Sequence, residues 1–172
     1  MVDRVLIDTL SFKSRDFALK WKDLIRKTPQ LKHYQTVDDE SLKEMGAAFY
    51  PALARALERG LDRRLIGDFF VRLGKARMES GFPISEVIYA VSLIQKTVLE
   101  YLMTDFVLDS TIRMYQAMGV VTHISEFFLL GSFYLIKGFL EETYVHLNSK
   151  EDVSEDLLRK YFRDDFFFKK EE

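Results

Sequence analysis

Apolar residues recur at spacings of three and four along most of the chain, which is the period of an amphipathic α-helix. In the N-terminal part this spacing predicts a first helix over residues 5–27. Thr28 and Pro29 end it, because the residue before a proline avoids the helical region. Residues 30–37 are then predicted to form a loop. The apolar positions of the first helix are Leu6, Leu10, Phe17, Trp21, Leu24 and Ile25.

A second helix is predicted to begin near Thr36 and Asp39, which have the spacing of a capping box with Asp in place of the usual Glu or Gln. Pro51 falls inside this helix. Since proline removes a backbone hydrogen bond and clashes with the preceding turn, we expect a kink or a break near Phe49. Gly60 is predicted to end the helix.

The third and fourth helices are separated by a sharp turn at residues 80–83, Ser-Gly-Phe-Pro. Asp62 is predicted to cap the third helix, and the fourth is predicted over residues 84–105. Gln95 falls in the middle of the apolar face of the fourth helix, where a buried amide needs hydrogen-bond partners. The solvent side of the fourth helix is predicted to consist of Glu86, Lys96, Thr97 and Glu100.

The longest element is predicted from a cap at Asp109 or Ser110 to Asn148. If this helix is unbroken, about 38 residues at roughly 1.5 Å each span ~57 Å, which exceeds the diameter of a small domain. We therefore expect a bend at Gly119 or Gly131, or one end that projects from the domain.

Around the circumference of this long helix, the polar side chains gather in one narrow stripe and most other positions are apolar. A helix that is apolar on so much of its surface is buried on more than one side. We therefore predict that it packs on its own bundle and on a second copy of the chain. The stripe consists of Gln116, His123, Glu126, Lys137 and Glu141. The predicted dimer interface consists of Phe127, Phe128, Leu135 and Phe139.

No stretch alternates like a strand, and no hairpin turn signal is present. The predicted fold class is all-α, a bundle of five to six helices with a long C-terminal helix. Residues 1–148 are predicted to form the helical domain and residues 149–172 a C-terminal helical tail or linker. In the tail, Ser149 and Asp152 have cap positions, and residues 166–168, all Phe, are expected to dock on a partner or fold back.

Length and composition fit one soluble domain: 172 residues, 48% hydrophobic and 30% charged. Aromatic residues reach 14%, with 15 Phe, which favours bulky packing or an apolar cavity. The chain has no Cys, so it forms no disulfide and no thiolate metal site. Its net charge of −2 does not favour nucleic acid as a partner.

The N-terminal residues lack the apolar core of a signal peptide, and this predicts a cytoplasmic protein. The apolar window 119–140 contains His123, Glu126 and Lys137. A charge at the centre of a bilayer costs at least ~2.5 kcal/mol, so no membrane span is predicted.

No catalytic motif is present, and adjacent acidic residues point ~100° apart on a helix, so they do not converge on a substrate. The prediction is a non-enzymatic protein without a cofactor. One alternative is a binding domain for a small apolar ligand, such as a lipid or fatty acid, because Arg77 and Gln95 interrupt apolar faces. The predicted pocket residues are Phe69, Phe70, Leu73, Arg77 and Gln95.

A further alternative is a haem-binding globin-type sensor with His123 as the iron ligand. His123 lies in the middle of the long helix. However, it shares the polar stripe with Glu126 and Lys137, whereas a proximal haem ligand projects into an apolar pocket. The sequence therefore favours a partly exposed histidine at this position.

Residues 76–91, ARMESGFPISEVIYAV, carry a resemblance to a known family. They resemble the junction A-x-x-x-x-G-[IF]-P-[IL]-x-E-[VI] in the N-terminal domain of RsbRD-type RsbT co-antagonist proteins, the sensory modules of bacterial stressosomes. The likeness spans roughly residues 17–147.

The resemblance implies a globin-like helical bundle without haem that dimerises, senses an unidentified signal and leads through its last helix towards an output domain. It also implies a signalling protein as partner. The family's phosphorylated output domain would have to follow residue 148, and the 24 or so remaining residues leave no room for it. We therefore expect a stand-alone module or a piece of a longer protein, and no phosphorylation site is carried over.

Overall fold

The computed structural model describes residues 2–105, 111–150 and 153–161, which form helices and turns and, within these ranges, no strand. The all-α prediction is confirmed, including the long C-terminal helix. The helices are α1 (Val2–Phe12), α2 (Ser14–Arg26), α3 (Lys32–Gln35), α4 (Asp39–Ala47), α5 (Phe49–Glu58), α6 (Arg63–Glu79), α7 (Ile84–Asp105), α8 (Thr111–Asn148) and α9 (Glu155–Tyr161).

The first predicted helix is divided in two at Lys13, where the backbone leaves the helical region with φ −102° and ψ 20°. The prediction of one continuous helix was therefore wrong. The two halves pack mainly on different partners, α1 on α5 and α8, and α2 on α4 and α7. A single straight helix cannot follow both surfaces. The predicted loop after α2 also contains the short helix α3.

The break expected from Pro51 is confirmed, because α4 ends at Ala47 and α5 begins at Phe49. Pro51 lies in the first turn of α5, where its missing N–H leaves no helical hydrogen bond unmade. The predicted capping box was wrong. The N-cap of α4 is Asp38, whose carboxylate accepts a hydrogen bond from Ser41 N at 2.9 Å.

Helices α6 and α7 have the predicted positions. Asp62 caps α6 by accepting a hydrogen bond from Arg64 N at 2.9 Å. The helix ends in a Schellman turn at Gly81, which has φ +76°. Phe82 N donates to Arg77 O at 3.0 Å and closes this turn.

Helix α8 is unbroken over 38 residues, so neither glycine interrupts it. Its first turns instead carry exposed apolar side chains, and Ile112, Tyr115 and Met118 keep 72%, 73% and 66% of their surface. This exposure agrees with the expected projecting end. The predicted cap at Asp109 or Ser110 lies outside the described residues.

The polar stripe of α8 is less uniform than expected. Gln116, His123 and Glu126 are exposed, Lys137 is half-buried and Glu141 is buried. Glu141 pairs with Lys75 of α6 across 3.1 Å. The C-terminal end of the stripe, at Glu141, therefore belongs to the interface between α6 and α8.

After α8, the short helix α9 packs back on it with Leu158 buried. Ser154 Oγ accepts a hydrogen bond from Leu157 N at the start of α9. The predicted cap Asp152 and the tail at residues 166–168 lie outside the described residues. The division of the chain at residue 148 stays a prediction.

Within the described residues, the stretch from Met114 to Asn148 is long and apolar enough to cross a membrane, judged by length and composition alone. The core helix of a soluble protein passes the same test. One face of this helix packs on α6, α7, α1 and α5.

Candidate functional site

The junction between α6 and α7 is built around the ring of Phe82. This ring is buried, and its centroid lies 4.7 Å from that of Tyr34. The guanidinium carbon of Arg77 lies over the Phe82 ring, 5.6 Å from its centroid. Arg77 and Phe82 are also the two residues joined by the Schellman hydrogen bond, so a helix end and a cation–π contact fix the same pair.

Glu86 fastens this junction to α3. One carboxylate oxygen accepts a hydrogen bond from His33 N at 2.9 Å, and the other lies 2.9 Å from His33 Nδ1. Burial acts to raise the pKa of Glu86, but the hydrogen bonds from His33 outweigh it, so the pKa lies below its usual value. An ionised Glu86 at the start of a helix is also favoured by the backbone dipoles. The junction therefore holds α3 against α7.

Tyr34 of α3 is enclosed by aromatic rings. The indole of Trp21 meets its ring edge-on at 6.2 Å, and Phe82 covers another side. Burial raises the pKa of Tyr34, and the nearby charge of Arg77 offsets part of this effect. The Trp21 indole N–H donates to Ala90 O at 2.8 Å, which ties α2 to α7 next to the same cluster.

A small cavity lies inside this cluster, and its volume is about 10 Å³. Leu73 and Arg77, two of the predicted pocket residues, line it together with Trp21 and Tyr34. A cavity needs roughly 10–15 Å³ to hold one water molecule. This space therefore has no room for a haem or an acyl chain in the described conformation.

Phe69 and Phe70 belong to a neighbouring chain of rings that joins three helices. The centroids of Phe49 and Phe69 lie 5.2 Å apart, those of Phe69 and Phe70 lie 5.1 Å apart, and those of Phe70 and Phe127 lie 5.3 Å apart. Such edge-to-face pairs contribute about 0.5–1.5 kcal/mol each beyond their burial. Phe49, which contacts the rings of Phe69 and Phe70, also lines the small cavity. Phe69 and Phe70 therefore lie next to the cavity that Leu73 and Arg77 line.

Gln95 does not join them. It is half-buried and lines an open depression on the outer side of α7, together with Ser92, Leu99 and Met103. Thr97 also differs from the prediction. It was predicted to face solvent, but it is buried, and its hydroxyl oxygen lies 3.0 Å from the hydroxyl oxygen of Tyr50. Thr97 tolerates burial since its hydroxyl also bonds to Ile94 O within its own helix.

The residues predicted for a dimer interface lie mainly in the chain's own core. Phe127, Phe128 and Leu135 are 1%, 3% and 0% exposed, and Phe139 is half-buried. The three buried side chains offer no surface to a second copy in this fold. Between residues 115 and 136, the exposed large apolar residues of α8 lie on its opposite side.

This opposite side, which we name the outer face of α8, carries five large apolar residues. Leu129, Phe133 and Ile136 are 74%, 59% and 39% exposed. At ~100° per residue they lie within about 60° of one another and of Tyr115 and Met118. The outer face consists of Tyr115, Met118, Leu129, Phe133 and Ile136.

His123, the residue of the haem alternative, is exposed on α8. It lacks the apolar pocket in which a haem ligand lies. Across the described ranges, His, Asp and Glu side chains do not form a group of three that could hold a metal ion.

A larger, partly enclosed cavity of about 190 Å³ lies between α5 and α6. Phe69 is the predicted pocket residue that lines it, and Arg55 and Arg72, which sequence reasoning missed, lie at its edge. The sequence contains one indication of open space beside Arg55, since the small residues Ala52 and Ala54 precede it on a short helix. Only the packing of α5 on α6 shows that a cavity results.

A family model described as RsbT co-antagonist protein rsbRD N-terminal domain matches residues 16–143. The matched range runs from α2 through most of α8 and contains the junction of α6 and α7. No match was found among curated proteins or among solved structures.

Proposed function

The chain belongs to the rsbRD N-terminal domain family of RsbT co-antagonist proteins, and from this premise we propose that it is a non-enzymatic signalling module that acts through dimerisation and contact with a signalling protein. In this proposal α8 is the element that transmits the signal. The family implies a sensor domain of the stressosome type.

The observation that supports dimerisation is the outer face of α8. Soluble monomers rarely expose large contiguous apolar patches, and such patches mark interaction sites. Leu129 and Phe133 lie one helical turn apart and are both more than half exposed. The other side of the same helix forms the core, so a partner on the outer face would contact the element on which the domain is built.

The occupant we propose for this face is a second copy of the chain. An isologous interface would pair the outer face with itself and bring apolar residues of the two copies together. A dimer of this kind places two long helices side by side, and a change in either core can then alter the spacing of the pair.

The experiment compares the unaltered chain with Phe133→Asp by light scattering at tens of micromolar protein. We expect a dimer for the unaltered chain and a monomer for the variant, because a charge on the outer face would have to be buried without a partner. Circular dichroism should show the same helix content for both. Leu19→Asp, at an exposed apolar position of α2, is the matched control and should remain dimeric.

A monomeric unaltered chain, or a Phe133→Asp variant that remains a dimer, would contradict the proposal.

We further propose a cytoplasmic location and a globin-like arrangement of helices without haem. The exposed position of His123 supports the haem-free state, and the two apolar sides of α8 account for its composition without a bilayer.

A further inference from the structure

The cavity between α5 and α6 has an apolar floor. Ile66 is 1% exposed, Phe69 is half-buried, and Phe127 reaches the cavity from α8 with 1% of its surface exposed. Ala52 and Ala56 line the α5 side, and their short side chains leave the space open. An apolar body placed here would be removed from water on several sides.

The edge of the cavity is charged. Arg55 and Arg72 are exposed and line it together with the half-buried Asp68. Arg72 Nε donates to Asp68 O at 3.0 Å, so this guanidinium is held along its own helix. Among the described residues, Arg55 forms no ion pair. Two guanidinium groups and one carboxylate give the edge a net charge of +1.

The volume limits the size of an occupant. An apolar cavity of about 150 Å³ binds benzene, and the cavity between α5 and α6 measures about 190 Å³. One aromatic ring or a chain of about six carbons is therefore the largest apolar body that fits. A haem or a long-chain fatty acid exceeds this size.

We propose that this cavity binds a small monocarboxylate with an apolar body, of the class of benzoate or hexanoate. The ring or chain lies on Phe69 and Phe127, and the carboxylate meets the guanidinium groups of Arg55 and Arg72 at the edge. Arginine and carboxylate form charge-assisted, often bidentate hydrogen bonds. A single negative charge balances the edge, whereas a phosphate dianion would leave an excess of charge.

The position of Phe127 connects this cavity to α8. Its side chain belongs both to the cavity floor and to the chain of rings through Phe70. An occupant that contacts Phe127 therefore changes the packing between α5, α6 and α8. This consequence deepens the proposed function and rests on it, since it identifies the class of signal that the module receives. Binding itself can be measured independently.

The experiment measures binding by calorimetry and by thermal unfolding, with benzoate and hexanoate as probes. We expect both acids to bind and to raise the midpoint of unfolding as their concentration increases. Benzyl alcohol has the same ring without the charge, and inorganic phosphate has the charge without the ring. Both should bind at least about tenfold more weakly, a difference of about 1.4 kcal/mol.

The variants Arg55→Gln and Arg72→Gln test the edge. Both residues are exposed, so we expect folded proteins whose benzoate affinity falls about tenfold or more. Arg59→Gln is the matched control, because Arg59 is exposed on the same helix end and does not line the cavity, and it should bind as the unaltered chain does.

Absence of benzoate and hexanoate binding at millimolar concentration would overturn the inference. Equal binding of benzyl alcohol, or unchanged affinity in both arginine variants, would overturn the carboxylate contact. These outcomes leave the oligomeric state untouched. Conversely, a monomeric chain that binds benzoate would contradict the proposed dimer and leave this inference standing.

Discussion

Tyr50 shows how one hydroxyl joins three helices in the core. The residue is fully buried, and its hydroxyl lies 3.2 Å from Phe17 O and 3.0 Å from Thr97 Oγ1. Its ring also stacks on Phe17 at 4.9 Å. Burial raises the pKa of Tyr50 well above its ordinary value, and the hydrogen bond to Thr97 reduces this shift only in part.

The raised pKa predicts a loss of stability in alkali. A folded-state pKa above the unfolded value means that the folded chain holds the proton more tightly. The contribution of Tyr50 to the free energy of unfolding is therefore complete below about pH 10, the ordinary pKa of tyrosine. It falls as the pH rises further. The slope per linked proton is about 1.4 kcal/mol for each pH unit.

Urea unfolding of the unaltered chain and of Tyr50→Phe between pH 8 and pH 11 would test this prediction. At pH 8 the variant should be less stable by about 0.5–1.5 kcal/mol, because a buried hydrogen bond is lost. Above pH 10 its stability should fall less steeply with pH. Tyr89→Phe, at a position 43% exposed, is the control and should follow the unaltered slope, and equal slopes for all three proteins would contradict the role of Tyr50.

At the scale of elements, the crossing of α6 and α8 depends on glycine. A Cβ atom on Gly74 would collide with the main chain of α8 at Leu135 O, and one on Gly138 would collide with the main chain of α6 at Val71 O. Backbone atoms cannot rotate away as a side chain can. Gly131 faces the ring of Phe70 in the same interface. The two helices therefore approach more closely than larger residues would allow.

Gly138→Ala should therefore destabilise the fold. Alanine increases helix propensity by about 1 kcal/mol, but the clash with Val71 requires a shift of a helix, and overpacking costs typically about 1–3 kcal/mol. The second effect should prevail in thermal or urea unfolding. Gly119→Ala is the matched control on the same helix, since a Cβ there meets nothing within 4 Å. It should be neutral or stabilising by up to about 1 kcal/mol.

If Gly138→Ala proves as stable as Gly119→Ala, the close approach of α6 and α8 does not limit the packing. The comparison separates the two effects because both substitutions add the same methyl group to the same helix. Only the surroundings differ between them.

At the scale of the whole molecule, α8 is packed over one part of its length and exposed at its start. Val120 and Ile124 are buried, whereas Ile112 and Tyr115 are 72% and 73% exposed. Regions with few buried apolar contacts open most readily. The stability of α8 should therefore increase along the chain towards its contact with α6.

Hydrogen exchange followed by mass spectrometry would measure this gradient. We expect peptides from residues 111–119 to exchange faster than those from residues 124–141. If a second copy covers the outer face, raising the protein concentration should slow exchange in residues 129–136. Peptides of α2 serve as the control and should not change. Uniform exchange along α8 at all concentrations would contradict the gradient.

The sequence by itself determined the class of the fold and the positions of the helices whose limits are set locally. The cap Asp62, the turn at Gly81 and Pro83 and the break near Pro51 act within a few residues, so spacing predicts them. The junction motif around Glu86 also identified the family, which the match over residues 16–143 confirms.

Only the tertiary structure decided which side of α8 faces the core. Phe127 and Phe133 are the same residue type on one nearly all-round apolar helix, yet they are 1% and 59% exposed. Periodicity alone cannot select the buried side of such a helix. The side that faces the core carries Gly131 and Gly138, which approach Phe70 and Val71 of α6, a helix distant in sequence. The cavity beside Arg55 likewise exists only because two separate helices leave a space between them.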